Sequence, residues 1–152
     1  MIVKRVARAI GAELQAINLG NGIDAELSMT LRELLNEHEV LFLRDQSIEP
    51  ADQKVLAEIF GPLQTHPAYH TVEHFPEVMI LESTKENPSK IEMWHSDMTF
   101  RQHPPSVTVL RGITIPEVGG DTLFASMTAA HEGLSAGMQR YLDGLVAVHD
   151  FS

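Results

Sequence analysis

The sequence is organised around one short stretch, Trp94-His95-Ser96-Asp97-Met98-Thr99-Phe100. If this stretch is a strand, its side chains alternate between two faces, so His95 and Asp97 point the same way. An imidazole and a carboxylate on one rigid segment supply two corners of a metal site. Donors of this kind favour a non-haem iron held by two histidines and one carboxylate. The stretch therefore predicts part of an Fe(II) site.

The tripeptide His-x-Asp is weak evidence by itself, because eight histidines make such a match easy to obtain by chance. A solvated loop pair is the simpler interpretation. The context is more specific, since Pro104-Pro105 and Gly119-Gly120-Asp121-Thr122-Leu123-Phe124 follow downstream. In residue type and spacing the whole block resembles the core of the taurine dioxygenase (TauD/TfdA-like) family of Fe(II)- and 2-oxoglutarate-dependent oxygenases.

The resemblance implies an α+β fold, with a double-stranded β-helix (jelly-roll, clavaminate synthase-like) core and flanking helices. It extends over nearly all of the 152 residues, but it matches only the N-terminal portion of a family member. We therefore expect a jelly roll that is incomplete at the C-terminus. No repeat, low-complexity segment or linker divides the sequence, so a single domain over residues 1–152 is predicted.

Composition excludes several classes of protein. The net charge of -10 and the lack of a Lys/Arg cluster argue against nucleic acid as a partner. No apolar run is long enough to span a membrane and no signal peptide is recognised, so a cytoplasmic location is the default expectation. Zero cysteines exclude thiolate metal sites and disulfides. The resemblance implies a small-molecule substrate and O2 as partners, and a homo-oligomer stays open.

The first half of the chain has clear local signals. Short strands are predicted at 2–6, 13–17, 40–43 and 77–81. A helix with one leucine stripe follows the acid Asp24, which is placed to cap it. A second helix begins at Pro50 and ends before Gly61, and its buried face is predicted to hold Val55, Leu56, Ile59 and Phe60.

The second half reads as strands and two short helices. The β-branched content predicts strands at 106–114, 121–125 and 145–149. Helices are predicted at 126–134 and 135–142. In the second of these helices, three apolar residues are expected to be buried, Met138, Tyr141 and Leu142.

The resemblance assigns roles to individual residues. It implies that His95 and Asp97 are iron ligands, and that a second histidine ligand would lie beyond the matched region. The cosubstrate 2-oxoglutarate would meet Thr122 through its far carboxylate, together with an arginine that has no counterpart in this sequence. His149 is the last histidine and a weak candidate to replace the missing ligand. For Thr122, an ordinary strand threonine is an equally good interpretation.

Substrate contacts are also implied by resemblance. The segment His66-Pro67-Ala68-Tyr69 is similar to a family segment that contacts a substrate sulfonate, so His66 and Tyr69 are candidate substrate residues. The simpler interpretation of His66 is a loop histidine that caps the next turn. Taurine-oxidising members have an asparagine four residues before the iron histidine, where this chain has Ile91. An isoleucine cannot donate that hydrogen bond, which argues against taurine itself, so a different sulfonate, an alkyl sulfate or another small carboxylate-bearing substrate is an equally good candidate.

One rival metal site is suggested by spacing. His66, His70 and His74 recur every four residues and would stack on one face of a helix, as in a zinc site. Prolines at positions 62, 67 and 76 make a regular helix poor there. The zinc interpretation is therefore the weaker one.

The function implied by the resemblance is hydroxylation of a small organic substrate, coupled to conversion of 2-oxoglutarate to succinate and CO2. For a sulfonate or alkyl sulfate, the hydroxylated carbon would collapse to an aldehyde and release sulfite or sulfate. Trp94, Phe100 and Phe124 could form the pocket walls. The alternative is a non-catalytic truncated fragment that acts as an interaction module.

Overall fold

The computed structural model describes residues 1–88, 91 and 93–150. In chain order the elements are β1 (Ile2–Arg5), β2 (Ala12–Gln15), a 3-10 turn (Leu19–Asn21), α1 (Ala25–His38), β3 (Leu41–Phe42), α2 (Pro50–Glu58), β4 (Thr71–Val72), β5 (Phe75–Met79), α3 (Met127–Glu132) and α4 (Ala136–Leu142). Within the described ranges, no helix combines the length and the apolar character that crossing a membrane requires.

The chain forms two compact units. The first contains Met1–Ser47 and Arg111–Ala147, and the second contains Ile48–Leu110 and the residues from Val148 onward. Among the described residues, the first unit contains β1, β2 and β3 with α1, α3 and α4, and the second contains β4 and β5 with α2. The prediction of a single domain over residues 1–152 stays a prediction.

A three-stranded sheet forms the base of the first unit. β1 and β2 are antiparallel, with Ile2 opposite Gln15, and β3 lies parallel to the other edge of β2. The turn before β2 includes Gly11, whose φ of +95° lies in the left-handed region that glycine tolerates best. On β2, Ala12 and Leu14 are buried, while Glu13 between them is half-buried and Gln15 is exposed, which is the alternation of a strand with one buried face.

Helix α1 confirms the leucine stripe predicted from the sequence. Leu31 is buried to 1% exposure, and Leu27, Leu34 and Leu35 beside it are half-buried. The Oδ1 atom of Asp24 accepts a hydrogen bond of 2.8 Å from the backbone N–H of Leu27, which satisfies one donor of the first turn. The buried stripe of α1 and the inner face of β2 supply most of the buried core of this unit.

The second unit is built on α2 and the hairpin formed by β4 and β5. Pro50 occupies the first turn of α2, as predicted, where its missing N–H has no partner to lose. Lys54 on α2 lies 3.3 Å from Glu77 Oε1 on β5, so an ion pair joins the helix to the hairpin. Ile48 and Leu56 are the buried apolar side chains among the residues described for this unit.

Three predicted strands are wrong. The segments 106–114, 121–125 and 145–149 form no paired strand in the structure. The segment 105–110 does alternate between half-buried and exposed side chains, as an extended chain should. A strand also needs a neighbour that accepts and donates its backbone hydrogen bonds, and composition does not report whether that neighbour is present.

Two predicted buried faces also need correction. On α4, Met138, Tyr141 and Leu142 are exposed, Tyr141 to 71%. On α2, Leu56 is buried and Val55 is exposed. An apolar period locates one face of a helix, but burial depends on what packs against that face.

Acid should weaken the second unit through Glu77. A hydrogen bond from its own backbone N–H and one from Lys54 hold the pKa of the Glu77 carboxyl below its ordinary value of 4.5, while burial opposes them. A lowered folded-state pKa stabilises the fold above the unfolded value, and this stabilisation is lost as pH falls through the folded value. We expect the thermal midpoint of the wild type to fall more steeply below about pH 4.5 than that of Glu77→Gln.

The matched control is Glu58→Gln, a change of the same kind at an exposed position on α2. It should leave the acid-side slope of the thermal midpoint close to that of the wild type. Parallel slopes for wild type and Glu77→Gln between pH 3 and 7 would contradict the role given to this ion pair.

Candidate functional site

The stretch around His95 is not the strand that was predicted. Residues 94–96 are irregular and a turn begins at Asp97, closed by a 3.0 Å hydrogen bond from Arg101 N–H to the Met98 carbonyl. The predicted convergence of His95 and Asp97 is nevertheless confirmed, because His95 Nε2 lies 3.3 Å from Asp97 Oδ1.

In each member of this pair, the polar atom that faces away from the other residue makes a hydrogen bond. His95 Nδ1 lies 2.8 Å from the Met93 carbonyl oxygen, and since a carbonyl only accepts, Nδ1 carries the proton. In the neutral ring, Nε2 then presents a lone pair toward Asp97. The second carboxylate oxygen, Asp97 Oδ2, accepts a 2.6 Å hydrogen bond from the Thr108 hydroxyl. Both near atoms are therefore acceptors that face each other.

This donor set fits a divalent cation. Two acceptor atoms 3.3 Å apart need a cation beside them, either a proton on His95 Nε2 or a metal ion, and one imidazole nitrogen with one carboxylate oxygen is a donor set that divalent metals take. The imidazole N–H that donates to a carbonyl is the usual arrangement for a ligating histidine. The side chains are 51% and 46% exposed, so the pair is open to small molecules.

The described residues supply two ligands and no third. Within 1–88, 91 and 93–150, no group of three or more His, Asp and Glu side chains is arranged to hold a metal ion. His149, the weak candidate for a replacement ligand, instead places Nδ1 2.8 Å from the Thr99 hydroxyl. The zinc array is also not formed, because residues 66–74 run through turns and the short strand β4 rather than through a helix.

His66 and Tyr69 form a second cluster in the same unit. Their ring centroids are 4.8 Å apart, and the His66 ring meets Phe100 edge to face at 6.1 Å. His66 Nδ1 accepts a 3.1 Å hydrogen bond from Ala68 N–H, so the turn-capping interpretation of His66 is confirmed. The same bond places the proton of the neutral ring on Nε2, which makes His66 a hydrogen-bond donor. The turn-capping bond therefore uses Nδ1, while the N–H of the neutral ring is on Nε2.

Sequence reasoning missed the arginine that ties these loops together. Arg101 donates one hydrogen bond of 3.1 Å to Gln64 Oε1 and one of 2.7 Å to the Thr65 carbonyl. Gln64 in turn donates to the His103 carbonyl at 3.1 Å. The loop that carries His66 is thereby fixed to the chain just after the turn at Asp97. Because these contacts join residues 36 to 39 positions apart, no local pattern signals them.

The remaining predicted residues lie elsewhere. Thr122 belongs to the first unit, in an exposed extended segment before α3, and its role toward 2-oxoglutarate stays a prediction. Phe124 packs edge to face against Phe42 at 5.9 Å in that unit. Trp94 is 68% exposed and Phe100 is half-buried beside His66. Of the three predicted pocket walls, Phe100 is therefore the one that contacts a candidate substrate residue.

Comparison with known proteins places the chain in one family. The model of the Taurine catabolism dioxygenase TauD, TfdA family matches residues 3–152. The alkylsulfatase of Acinetobacter baylyi is 34% identical over 148 residues, which are 97% of this chain and 46% of that protein. The alpha-ketoglutarate-dependent sulfate ester dioxygenase of Pseudomonas putida is 30% identical over 148 residues, with 97% of this chain and 48% of that protein covered.

The fold is shared with a solved structure as well. The crystal structure of a taurine dioxygenase from Burkholderia xenovorans matches with a TM-score of 0.84 at 33% identity, covering 99% of this chain and 54% of that one. Such dioxygenases have a jelly-roll core, so the predicted fold class is confirmed. The chain spans about half the length of the relatives that it matches. With its His95–Asp97 pair and a family match from residue 3 to 152, the chain belongs to the TauD/TfdA family.

Proposed function

We propose that the full-length protein containing this chain is an Fe(II)- and 2-oxoglutarate-dependent dioxygenase that oxidises a small sulfate ester or sulfonate. The observation that carries the proposal is the 3.3 Å approach of His95 Nε2 to Asp97 Oδ1, with the far atom of each group held by a hydrogen bond. Two acceptors held in this way would supply two of the three ligands of a two-histidine, one-carboxylate site. Relatives named as alpha-ketoglutarate-dependent dioxygenases support the same chemistry.

Iron and 2-oxoglutarate together supply the oxidation, in which O2 is consumed, 2-oxoglutarate becomes succinate and CO2, and one oxygen atom enters a substrate C–H bond. When the hydroxylated carbon bears a sulfate ester oxygen, its C–O bond to sulfate breaks and an aldehyde forms. The protein holds the reacting groups in place. His95 and Asp97 would bind the iron, and Thr122 is proposed to contact the far carboxylate of 2-oxoglutarate.

Substrate binding is assigned to the His66–Tyr69 cluster. A sulfo group carries its negative charge on three oxygens and needs donors. His66 Nε2–H and the Tyr69 hydroxyl are two donors on rings whose centroids are 4.8 Å apart. Arg101 would keep the loop in place through its bonds to Gln64 and Thr65. Oriented donors of this kind place the substrate carbon for oxidation.

The relatives also bear on which sulfo compound is used. Two of the relatives are named as an alkylsulfatase and a sulfate ester dioxygenase. Ile91 stands where the taurine pattern has an asparagine and cannot hydrogen-bond a polar substrate group. We therefore propose an alkyl sulfate as the substrate class, ahead of taurine. Because the relatives described above carry the names of enzymes, the non-catalytic alternative is not proposed. The cytoplasmic location and the homo-oligomer stay predictions.

The test is turnover by the full-length protein with Fe(II), 2-oxoglutarate and O2. We expect hexyl sulfate to yield succinate and free sulfate with a kcat/KM at least about tenfold above that for taurine, since one missing hydrogen bond to a substrate polar group costs about that much or more. Ile91→Asn should raise the kcat/KM for taurine relative to hexyl sulfate, and Ile91→Val, which stays apolar, should not.

Succinate that stays at the level formed without any sulfo substrate would overturn the proposal for both substrate classes. Robust turnover of taurine with no release of sulfate from hexyl sulfate would overturn the substrate class alone. Production of succinate and sulfite or sulfate is measured in the same reactions, so the two outcomes are distinguished directly.

A further inference from the structure

The carboxylate of Asp97 accepts a hydrogen bond from a threonine that no local sequence motif predicts. Thr108 Oγ1 donates to Asp97 Oδ2 at 2.6 Å, a length typical of a strong hydrogen bond from a hydroxyl to a charged oxygen. The other oxygen, Oδ1, faces His95 Nε2 at 3.3 Å. The two oxygens of one carboxylate thus have separate partners on opposite sides.

Helix α2 fixes the position of Thr108. Gln53 Nε2 on α2 donates a 3.2 Å hydrogen bond to the Val109 carbonyl, next to Thr108 in the chain. Val107 and Val109 are half-buried, and Thr108 lies on the opposite, exposed face of this extended segment. A β-branched threonine has few χ1 rotamers, so a fixed backbone also fixes its hydroxyl. The position of the Thr108 hydroxyl, as donor to Asp97, is therefore set by the backbone of this segment.

We propose that Thr108 is a positioning residue. Its hydroxyl hydrogen-bonds Asp97 Oδ2, so that only Oδ1 is available to the metal. The proposal rests on the function proposed above. The terminal torsion of an aspartate is broad, so without this bond the carboxylate can turn and offer both oxygens. If Asp97 bound the metal through one oxygen, coordination positions would remain for the cosubstrate and O2. If it bound through both oxygens, one of those positions would be occupied. Outer hydrogen bonds of this kind commonly contribute 10- to 100-fold to metal affinity.

The test uses the full-length protein and Co(II), an air-stable probe whose visible absorption reports both binding and coordination number. We expect Thr108→Val, which keeps the shape and removes the hydroxyl, to weaken Co(II) binding about tenfold or more and to shift the visible bands. Thr108→Ser keeps the hydroxyl and should bind within about threefold of the wild type. The matched control is Thr30→Val on α1, where the lost hydroxyl donates to the Glu26 carbonyl within the helix, and affinity for Co(II) should be unchanged.

A loss below about threefold in Thr108→Val, with unshifted bands, would overturn the inference, because the hydroxyl would then do nothing for the metal. An equal loss in Thr108→Val and Thr108→Ser would also overturn it, since packing rather than the hydroxyl would be responsible. A wild-type protein that fails to bind Co(II) would instead overturn the metal site itself. The positioning role and the proposed function therefore fail in different ways.

Discussion

Replacing His95 or Asp97 with alanine is expected to lower succinate formation by the full-length protein below about one hundredth of the wild-type rate. This loss is larger than the 10- to 100-fold that follows when a hydrogen-bond partner of a metal ligand is removed. Each change removes one of the two donors that face each other at 3.3 Å. The remaining donors cannot hold Fe(II) in an open, ordered arrangement. Anaerobic titration with Fe(II) and 2-oxoglutarate provides the measurement, because the weak visible charge-transfer band of the ternary complex should disappear.

His103→Ala is the matched control for this prediction. His103 is an exposed histidine of the same unit, and its described hydrogen bond uses the backbone carbonyl, which alanine keeps. Its charge-transfer band and turnover should match those of the wild type. A band that persists in both His95→Ala and Asp97→Ala would show that the iron is held elsewhere and would end the assignment of this site.

The second large effect concerns stability. Leu31→Ala should lower the free energy of unfolding by about 2–5 kcal/mol, because it removes buried methyl groups and leaves a cavity at a side chain that is 1% exposed. That is a large fraction of the roughly 5–15 kcal/mol that a domain has in total. Urea unfolding followed by circular dichroism gives the change in midpoint.

Met29→Ala on the same helix is the control for Leu31→Ala. Met29 is 61% exposed, so its truncation should change the free energy of unfolding by less than about 0.5 kcal/mol. Both variants replace a side chain of similar size at a helical position. Equal midpoints for the two variants would show that α1 is not packed against the sheet of the first unit as described.

Local signals predicted α1 well because they act between neighbours in sequence. Its leucines recur at helical spacing, and Asp24 caps the first turn from three residues before Leu27. α2 was equally clear, with Pro50 at its start. The convergence of His95 and Asp97 was predicted from a strand that the structure does not contain, and the pair meets in an irregular segment instead.

Contacts between residues that are distant in the sequence were not predicted. The strands predicted at 106–114, 121–125 and 145–149 are unpaired, and Tyr141 is exposed where its helical period suggested burial. Strand formation and burial both need a partner surface, and a periodic pattern describes only one side of that contact.

By itself, the sequence determined which residues are candidate iron ligands, since an imidazole and a carboxylate stand two positions apart in a block that matches the family in residue type and spacing. Only the tertiary structure decided how that pair is held. The Thr108 hydroxyl reaches Asp97 across 11 positions and Arg101 reaches Gln64 across 37. The physical reason is that a hydrogen bond between distant residues depends on the path of the folded backbone, which no short window of sequence encodes.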